Sequence, residues 1–133
     1  MPDNRILIDT SIWVDYFRGR EIRLADAVDR LLESDRVVTL EIIEAELLRG
    51  AKTEKEIDFL KNHFSAIPIL EMPSDSWREV GLFSYRLARK GYLPALVDTF
   101  IALASINSDI PLFTRDRDFR RIAGFSSLIL FEP

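Results

Sequence analysis

Apolar residues along the chain follow two periods, and the alternation between the two periods predicts the fold. Short apolar runs are typical of buried strands, and longer segments with apolar residues every three to four positions are typical of helices. The predicted strands cover residues 6–8, 37–38, 66–70, 110–113 and 127–131. The predicted helices cover residues 12–18, 21–34, 40–49, 54–64, 75–90, 94–107 and 116–123. Because strands alternate with helices, we expect a three-layer α/β/α sandwich around a mainly parallel sheet.

Turn and capping residues give the expected ends of these elements. Ser11 and Ser74 are predicted N-caps, since a serine hydroxyl accepts a hydrogen bond from the first helical turn. Gly50 and Gly91 are predicted to end the helices that precede them. Pro94 is expected in the first turn of the following helix, where its missing N–H is not needed.

Composition narrows the possible functions of the chain. Its 133 residues are enough for one domain, over 1–133, and 47% of them are hydrophobic. Cysteine is absent, which excludes disulfides, thiolate metal sites and cysteine nucleophiles. We expect a cytoplasmic protein, because neither a membrane span nor a secretory start is recognisable. The net charge of −4 disfavours nucleic-acid binding by bulk electrostatics alone.

Two acidic residues occupy positions that suggest chemistry. Asp9 directly follows the apolar run 6–8, at the edge of a parallel sheet where ligands bind. Glu46 is predicted to project between Ile42 and Ile43 on the apolar side of its helix. A buried carboxylate needs a partner, and for Glu46 this is either a metal ion or a salt bridge to Arg49.

Three further aspartates lie at helix starts and strand ends. Asp98 opens an almost wholly apolar helix, where it is either a ligand or a residue that stabilises the helix N-terminus. Asp116 and Asp118 follow the strand 110–113, and we expect one to cap the next helix and the other to be available for chemistry. The alternative is that both are turn residues.

Convergence of Asp9, Glu46, Asp98 and Asp116 would create a site for a hard cation. Clustered carboxylates raise one another's pKa, and a divalent cation removes that repulsion. Mg²⁺ or Mn²⁺ is expected, because both prefer oxygen ligands. Such an ion can generate hydroxide from water and neutralise charge on a phosphate oxygen. This chemistry requires neither cysteine nor histidine, and the chain's one histidine is His63.

Four segments of the chain resemble the PIN-domain ribonucleases, and most closely the VapC-type toxins of bacterial and archaeal toxin–antitoxin pairs. The matching segments are ILIDTSIWVDYFRG, EIIEAELLRG, LVDTFIALAS and LFTRDRDFRRI. The resemblance implies Mg²⁺- or Mn²⁺-dependent endonucleolytic cleavage of RNA by the toxin of a type II toxin–antitoxin system. It also implies a homodimer and a cognate VapB-type antitoxin.

The resemblance also assigns roles to individual residues. It makes Asp9, Glu46, Asp98 and Asp116 the catalytic, metal-binding acids and Asp118 a possible auxiliary acid, with Asp116 the least secure of the four. Small hydroxyl positions near the site correspond to Thr10 or Ser11, and to Thr114. Arg115 and the other arginines near the last aspartates are candidates for RNA phosphates, or else partners of acidic residues.

Two other classes of function remain open from the sequence. One is a non-catalytic or metal-free PIN-like binding or regulatory module. The other is a flavodoxin-like phosphotransfer domain, against which the absence of any lysine beyond Lys90 counts. Trp13, Tyr16 and Phe17 belong either to the core or to a groove for an antitoxin helix, and we expect Trp13 to be core. His63 is expected to be a packing or surface residue.

Overall fold

The computed structural model describes residues 4–133 and has a parallel sheet at its centre. Strand β1 (Ile6–Ile8) lies between β2 (Val37–Val38) and β3 (Leu112–Phe113). Ile6 pairs with Val37, and Leu7 pairs with Leu112. All three strands run in the same direction, so their carboxyl ends meet at one edge of the sheet.

Helices make up most of the remaining chain. Within residues 4–133 they are α1 (Thr10–Arg18), α2 (Ile22–Glu33), α3 (Glu41–Arg49), α4 (Glu54–Phe64), α5 (Ser76–Arg89), α6 (Leu96–Ser108) and α7 (Arg117–Gly124). Each lies within about two residues of its predicted position. Hydrophobic periodicity was therefore sufficient to find every helix of the described chain.

The two outer strands predicted at 66–70 and 127–131 are wrong as full strands. Each is a single parallel bridge, Thr39 with Ile69 on one side and Leu112 with Leu130 on the other. Thr39 N–H donates to the carbonyl of Pro68 (3.0 Å), and Leu70 N–H donates to the carbonyl of Thr39 (2.8 Å). Proline has no N–H to continue a ladder, which limits the pairing on that edge.

Burial of β1 shows that both faces of the sheet are covered. Successive side chains of a strand point to opposite faces, and Ile6, Leu7 and Ile8 are all at most 2% exposed. Trp13 of α1 and Ile101 of α6 are fully buried in the same core. The predicted three-layer α/β/α arrangement is confirmed.

Three helix starts differ from their predictions, and those of α1 and α6 matter for the site. Asp9, and not Ser11, is the N-cap of α1, because the Asp9 carboxylate accepts a hydrogen bond from the Ser11 N–H. Helix α5 begins after Asp75 instead of after Ser74. Helix α6 begins at Leu96, two residues beyond Pro94, with no side-chain cap. Asp98 therefore does not cap its helix.

Candidate metal centre

Asp9 lies where β1 ends and α1 begins, and three hydrogen bonds fix its carboxylate. Oδ2 accepts from the hydroxyls of Ser11 (2.7 Å) and Thr114 (2.9 Å) and from the Ser11 N–H (3.3 Å). Thr114 follows β3, so two neighbouring strand ends build this contact. Asp9 is only 5% exposed. Burial raises the pKa of Asp9, and these hydrogen bonds offset part of that rise.

Asp98, Asp116 and Asp118 form the most compact acidic group of the described chain. One carboxylate oxygen from each lies within 4.8 Å of the others. Asp98 comes from the first turn of α6, Asp116 is the N-cap of α7, and Asp118 is in the first turn of α7. Asp116 Oδ1 accepts a hydrogen bond from the Asp118 N–H (2.9 Å). Asp116 is therefore the one of the two aspartates that caps this helix.

The negative charges that act on Asp98 come both from its own group and from Asp9 and Glu46. Burial is the largest cause that raises the pKa of Asp98 to about 6, and four negative charges add to it. Those charges are Asp116, Asp9, Asp118 and Glu46, in decreasing order of effect. The acids singled out in the sequence therefore act on one another across the same edge of the sheet. Such a set of hard oxygen donors fits a divalent cation.

Glu46 reaches the site from a direction that the helical pattern did not predict. The predicted inward orientation is wrong, because Glu46 is exposed while Ile43 and Leu47 form the buried side of α3. The Glu46 carboxylate accepts a hydrogen bond from the Thr10 hydroxyl (2.9 Å). Within residues 4–133 it forms no salt bridge to Arg49. Glu46 thus lies at the solvent side of the acidic site.

The hydroxyls named from the sequence contact acids directly. Thr10 donates to Glu46, and both Ser11 and Thr114 donate to Asp9. Thr114 also accepts from the Asp116 N–H (3.0 Å), so its hydroxyl links Asp9 to the start of α7. These side chains orient the carboxylates.

Arg115 is held by acidic residues. Its guanidinium pairs with Asp15 (3.1 Å) and, through both terminal nitrogens, with Glu21. The backbone N–H of Arg115 donates to the Ser11 hydroxyl (3.1 Å). Of the two predicted alternatives for Arg115, the structure shows the pairing with acids.

Tyr92 adjoins the acidic group, and sequence reasoning did not find it. Its side chain is 8% exposed, and the guanidinium of Arg121 lies 3.9 Å from its ring centroid. Burial, then the charge of Asp118 and a hydrogen bond to Asp118, raise the pKa of Tyr92. The sequence feature that could have pointed to Tyr92 is its position directly after Gly91, because the residue after such a glycine often packs back on the helix.

A groove continues from the acidic site along α1, α3 and α4. It has a volume of about 860 Å³, and its lining includes Thr10 and Glu46 as well as Phe17 and Phe59. Trp13 is fully buried, which confirms its predicted core position. His63 packs edge-on against Trp13 and Phe17, and burial lowers the pKa of this histidine. Phe17 is half-buried and Phe59 is 53% exposed, so the groove has an apolar rim.

Among residues 4–133, no helix combines the length and apolar character that crossing a membrane requires.

Comparison with known proteins gives consistent matches over nearly the whole chain. The PIN domain family model matches residues 6–125. Ribonuclease VapC11 of Mycobacterium tuberculosis is 33% identical over 127 residues, which cover 92% of this chain and 95% of that protein. Ribonuclease VapC1 of Methanocaldococcus jannaschii is 29% identical over 128 residues, which cover 92% of this chain and 85% of that protein.

Solved structures agree on the fold. The crystal structure of DNA-bound VapBC from Salmonella typhimurium matches with a TM-score of 0.79 at 21% identity, over 96% of both chains. All five acids of the site lie within residues 6–125, which the family model matches. This chain therefore belongs to the PIN-domain family, in which its similar proteins include VapC ribonucleases.

Proposed function

We propose that this protein is a metal-dependent endoribonuclease and the toxin of a type II toxin–antitoxin pair. The observation that carries the proposal is the acidic site, where one carboxylate oxygen from each of Asp98, Asp116 and Asp118 lies within 4.8 Å of the others. Burial, together with the charges of four neighbouring carboxylates, raises the pKa of Asp98 to about 6. Kinship with VapC ribonucleases supports RNA as the substrate. A carboxylate cluster of this kind is destabilised while it is empty and negatively charged, and a divalent cation relieves that repulsion.

Asp98, Asp116 and Asp118, whose carboxylate oxygens lie within 4.8 Å of one another, would hold the cation, and Asp9 and Glu46 are further oxygen donors at the same edge of the sheet. All of them offer oxygen, which suits Mg²⁺ or Mn²⁺. When bound, such an ion lowers the pKa of a coordinated water and neutralises negative charge on a phosphate oxygen. Within the described chain, the chemistry requires no histidine, and His63 lies among aromatic rings instead of acids.

The chain's own residues orient the acids for this task. The hydrogen bonds that Ser11 and Thr114 donate to Asp9 end on Oδ2, so Oδ1 is the oxygen that we assign to the cation. Asp116 uses Oδ1 to cap α7, which leaves Oδ2 for the cation. Because the ligands are fixed before binding, little side-chain ordering remains to be done when the ion arrives.

A VapB-type antitoxin is the proposed partner of the groove. Its apolar rim of Phe17 and Phe59 suits the apolar face of a helix, and its lining reaches Glu46 at the acidic site. Several structurally similar proteins were solved as VapBC complexes. We also propose a homodimer, supported by the exposed Trp77 and Tyr85 of α5. We also propose a cytoplasmic location, which fits action on cellular RNA.

Cleavage of single-stranded RNA with and without Mg²⁺ tests the proposal. The natural chain should cut RNA with Mg²⁺ and stop when EDTA is added. Asp9→Asn and Asp98→Asn should each lose activity, whereas Asp58→Asn, an exposed acid on α4 far from the strand ends in sequence, should retain it. Cleavage that persists in EDTA, or full activity in both site variants, would refute the mechanism. A protein that binds no Mn²⁺ and cuts no RNA would be a non-catalytic module instead.

A further inference from the structure

We propose that Arg121, held against the ring of Tyr92, binds a phosphate of the RNA strand beside the acidic site. Tyr92 is the positioning residue that keeps this guanidinium available. The inference rests on the proposed ribonuclease function and names a residue that brings the substrate to the site. It follows from how Tyr92 is fixed, how Arg121 is placed on it, and how the neighbouring arginines differ.

The backbone fixes Tyr92 in place. Gly91 ends α5 with φ +100°, a conformation that side chains rarely allow. The Tyr92 N–H then donates to the carbonyl of Leu87 (3.1 Å), which folds the chain back on the helix. The ring lies 6.4 Å from that of Phe125, and Lys90 Nζ donates to the Phe125 carbonyl (2.9 Å). The Tyr92 ring is therefore anchored both to the end of α5 and to the residue that follows α7.

Arg121 lies one helical turn after Asp118, on the same side of α7. Its guanidinium is 3.9 Å from the centroid of the Tyr92 ring, in a cation–π contact. It forms no ion pair with a carboxylate of residues 4–133, although acids are plentiful nearby. Since a ring face accepts no conventional hydrogen bond from the fork of a guanidinium, its N–H groups stay available.

Arg115 shows the opposite arrangement, and the contrast selects Arg121. Two carboxylates already occupy the Arg115 guanidinium, so a phosphate would have to displace them. Arg120 lines a groove of about 520 Å³ together with Arg23, Arg115 and Phe131, on the side of Arg115. Arg117 is exposed and has no ring contact or ion pair within residues 4–133. Arg121 alone of these four is both positioned by a buried side chain and not paired with an acid.

A phosphate is the ligand that fits this position. Arginine binds phosphate through two parallel hydrogen bonds, and it remains charged at any physiological pH. The acids repel an RNA strand, so a second positive group beside the cation is needed to hold the next phosphate in place. A guanidinium one turn from Asp118 is placed to do this.

Binding of a single-stranded RNA oligonucleotide to the Asp98→Asn chain tests the inference, since the proposed mechanism predicts no cleavage in that background. Adding Arg121→Gln should weaken RNA binding about tenfold. It should also reduce the slope of log affinity against log salt by about 0.7, the value for one phosphate contact to a single strand. Arg117→Gln is the matched control on the same helix and should change the affinity less than about threefold. Equal losses in both variants would contradict the inference, because bulk charge would then explain them.

Variants of Tyr92 test the positioning role. Tyr92→Leu removes the ring and should weaken RNA binding nearly as much as Arg121→Gln, whereas Tyr92→Phe keeps the ring and should retain most of the affinity. Mn²⁺ affinity, measured by calorimetry with Asp98 intact, should stay unchanged in Arg121→Gln. Unaltered RNA affinity in Arg121→Gln, which is an exposed substitution that leaves the core intact, would overturn the inference.

The two proposals fail in different ways. If the natural chain cuts RNA with Mg²⁺ but Arg121→Gln has the same KM and the same salt dependence, only the role of Arg121 is wrong. If the natural chain neither cuts nor binds RNA, the proposed function itself is wrong and the inference falls with it.

Discussion

Asp9 and Asp98 are two acids of one site in opposite surroundings. Asp9 is the more buried, yet three donors surround its Oδ2 oxygen and stabilise the charged form. Asp98 is less buried, and burial together with the charges of four other carboxylates raises its pKa to about 6. Burial raises the pKa of both acids, but the protein's hydrogen bonds offset part of the rise at Asp9, whereas like charges add to it at Asp98. The Asp98 side therefore depends more on a cation for its stability.

This difference separates two tasks that the same residue type performs. Asp9 follows a strand and caps a helix, so its negative charge stabilises the N-terminus of α1 even without a cation. Asp98 satisfies no donor of its own helix terminus and is surrounded by like charges. An acid kept in such a place costs stability, and this is the pattern of a functional site.

The largest expected effect comes from removing the charge of Asp98. Asp98→Asn should lower the rate of RNA cleavage by about 10²–10³-fold, because an ion ligand contributes several kcal/mol to the transition state. Without metal, the same variant should unfold at a higher temperature at pH 8, since a repelled carboxylate is gone. Asp58→Asn should change neither quantity. A variant that loses activity and also loses stability at pH 8 would contradict the cation-dependent view of Asp98.

A smaller effect is expected on the Asp9 side. Ser11→Ala and Thr114→Val each remove one donor to Asp9 Oδ2 and should lower the cleavage rate about 10–100-fold, as for other groups that orient metal ligands. Each should also cost about 1 kcal/mol of stability. Cleavage assays and thermal melts measure the two effects. Thr10→Val, the comparison variant, removes only the hydrogen bond to the exposed Glu46. It should lower the cleavage rate and the stability less than the other two substitutions do.

Protons should compete with the cation at acidic pH. The pKa of Asp98 is raised from 3.8 to about 6, so the folded state binds this proton more tightly than the unfolded state. Without metal, the contribution of Asp98 to the free energy of unfolding should therefore be largest below about pH 4, fall as pH rises through 6, and stay constant at higher pH. Mn²⁺ affinity should drop about tenfold between pH 7 and pH 5. Calorimetric titration that shows equal affinity at pH 5 and pH 7 would contradict this assignment.

The smallest effect is expected at Arg115. Its guanidinium is partly exposed and paired with exposed acids, and such pairs contribute little to stability. Arg115→Ala should change the RNA dissociation constant less than about fivefold. Filter binding with Arg121→Gln as the comparison measures this. A loss at Arg115 larger than that at Arg121 would reverse the assignment of the phosphate-binding arginine.

Local patterns in the sequence were enough for the fold and for the order of its elements. Apolar runs located the strands that are buried on both faces, such as 6–8, because no other structure suits three consecutive buried residues there. The lengths of the outer strands at 66–70 and 127–131 were overestimated. An apolar run does not show how many of its residues pair with a neighbouring strand. The β-propensity of the residues alone cannot show where the sheet ends.

The candidate site was only partly accessible from the sequence. The acids at strand ends were found because parallel strands end at one edge of a sheet. The orientation of Glu46 was missed, since helical periodicity fixes an angle but not which side of α3 the core covers. The contact between Tyr92 and Arg121 joins residues 29 positions apart, one after α5 and the other in α7, and depends on the turn at Gly91. Long-range packing of this kind leaves no periodic signal.

The location of a bound Mn²⁺ ion, found by anomalous scattering from crystals soaked with manganese chloride, tests the central claim most directly. The account predicts a peak among the carboxylates of the acidic site, with Asp9 Oδ2 still bound by Ser11 and Thr114. Crystals that show no peak there at saturating Mn²⁺, or a peak only at acids outside this edge of the sheet, would contradict it.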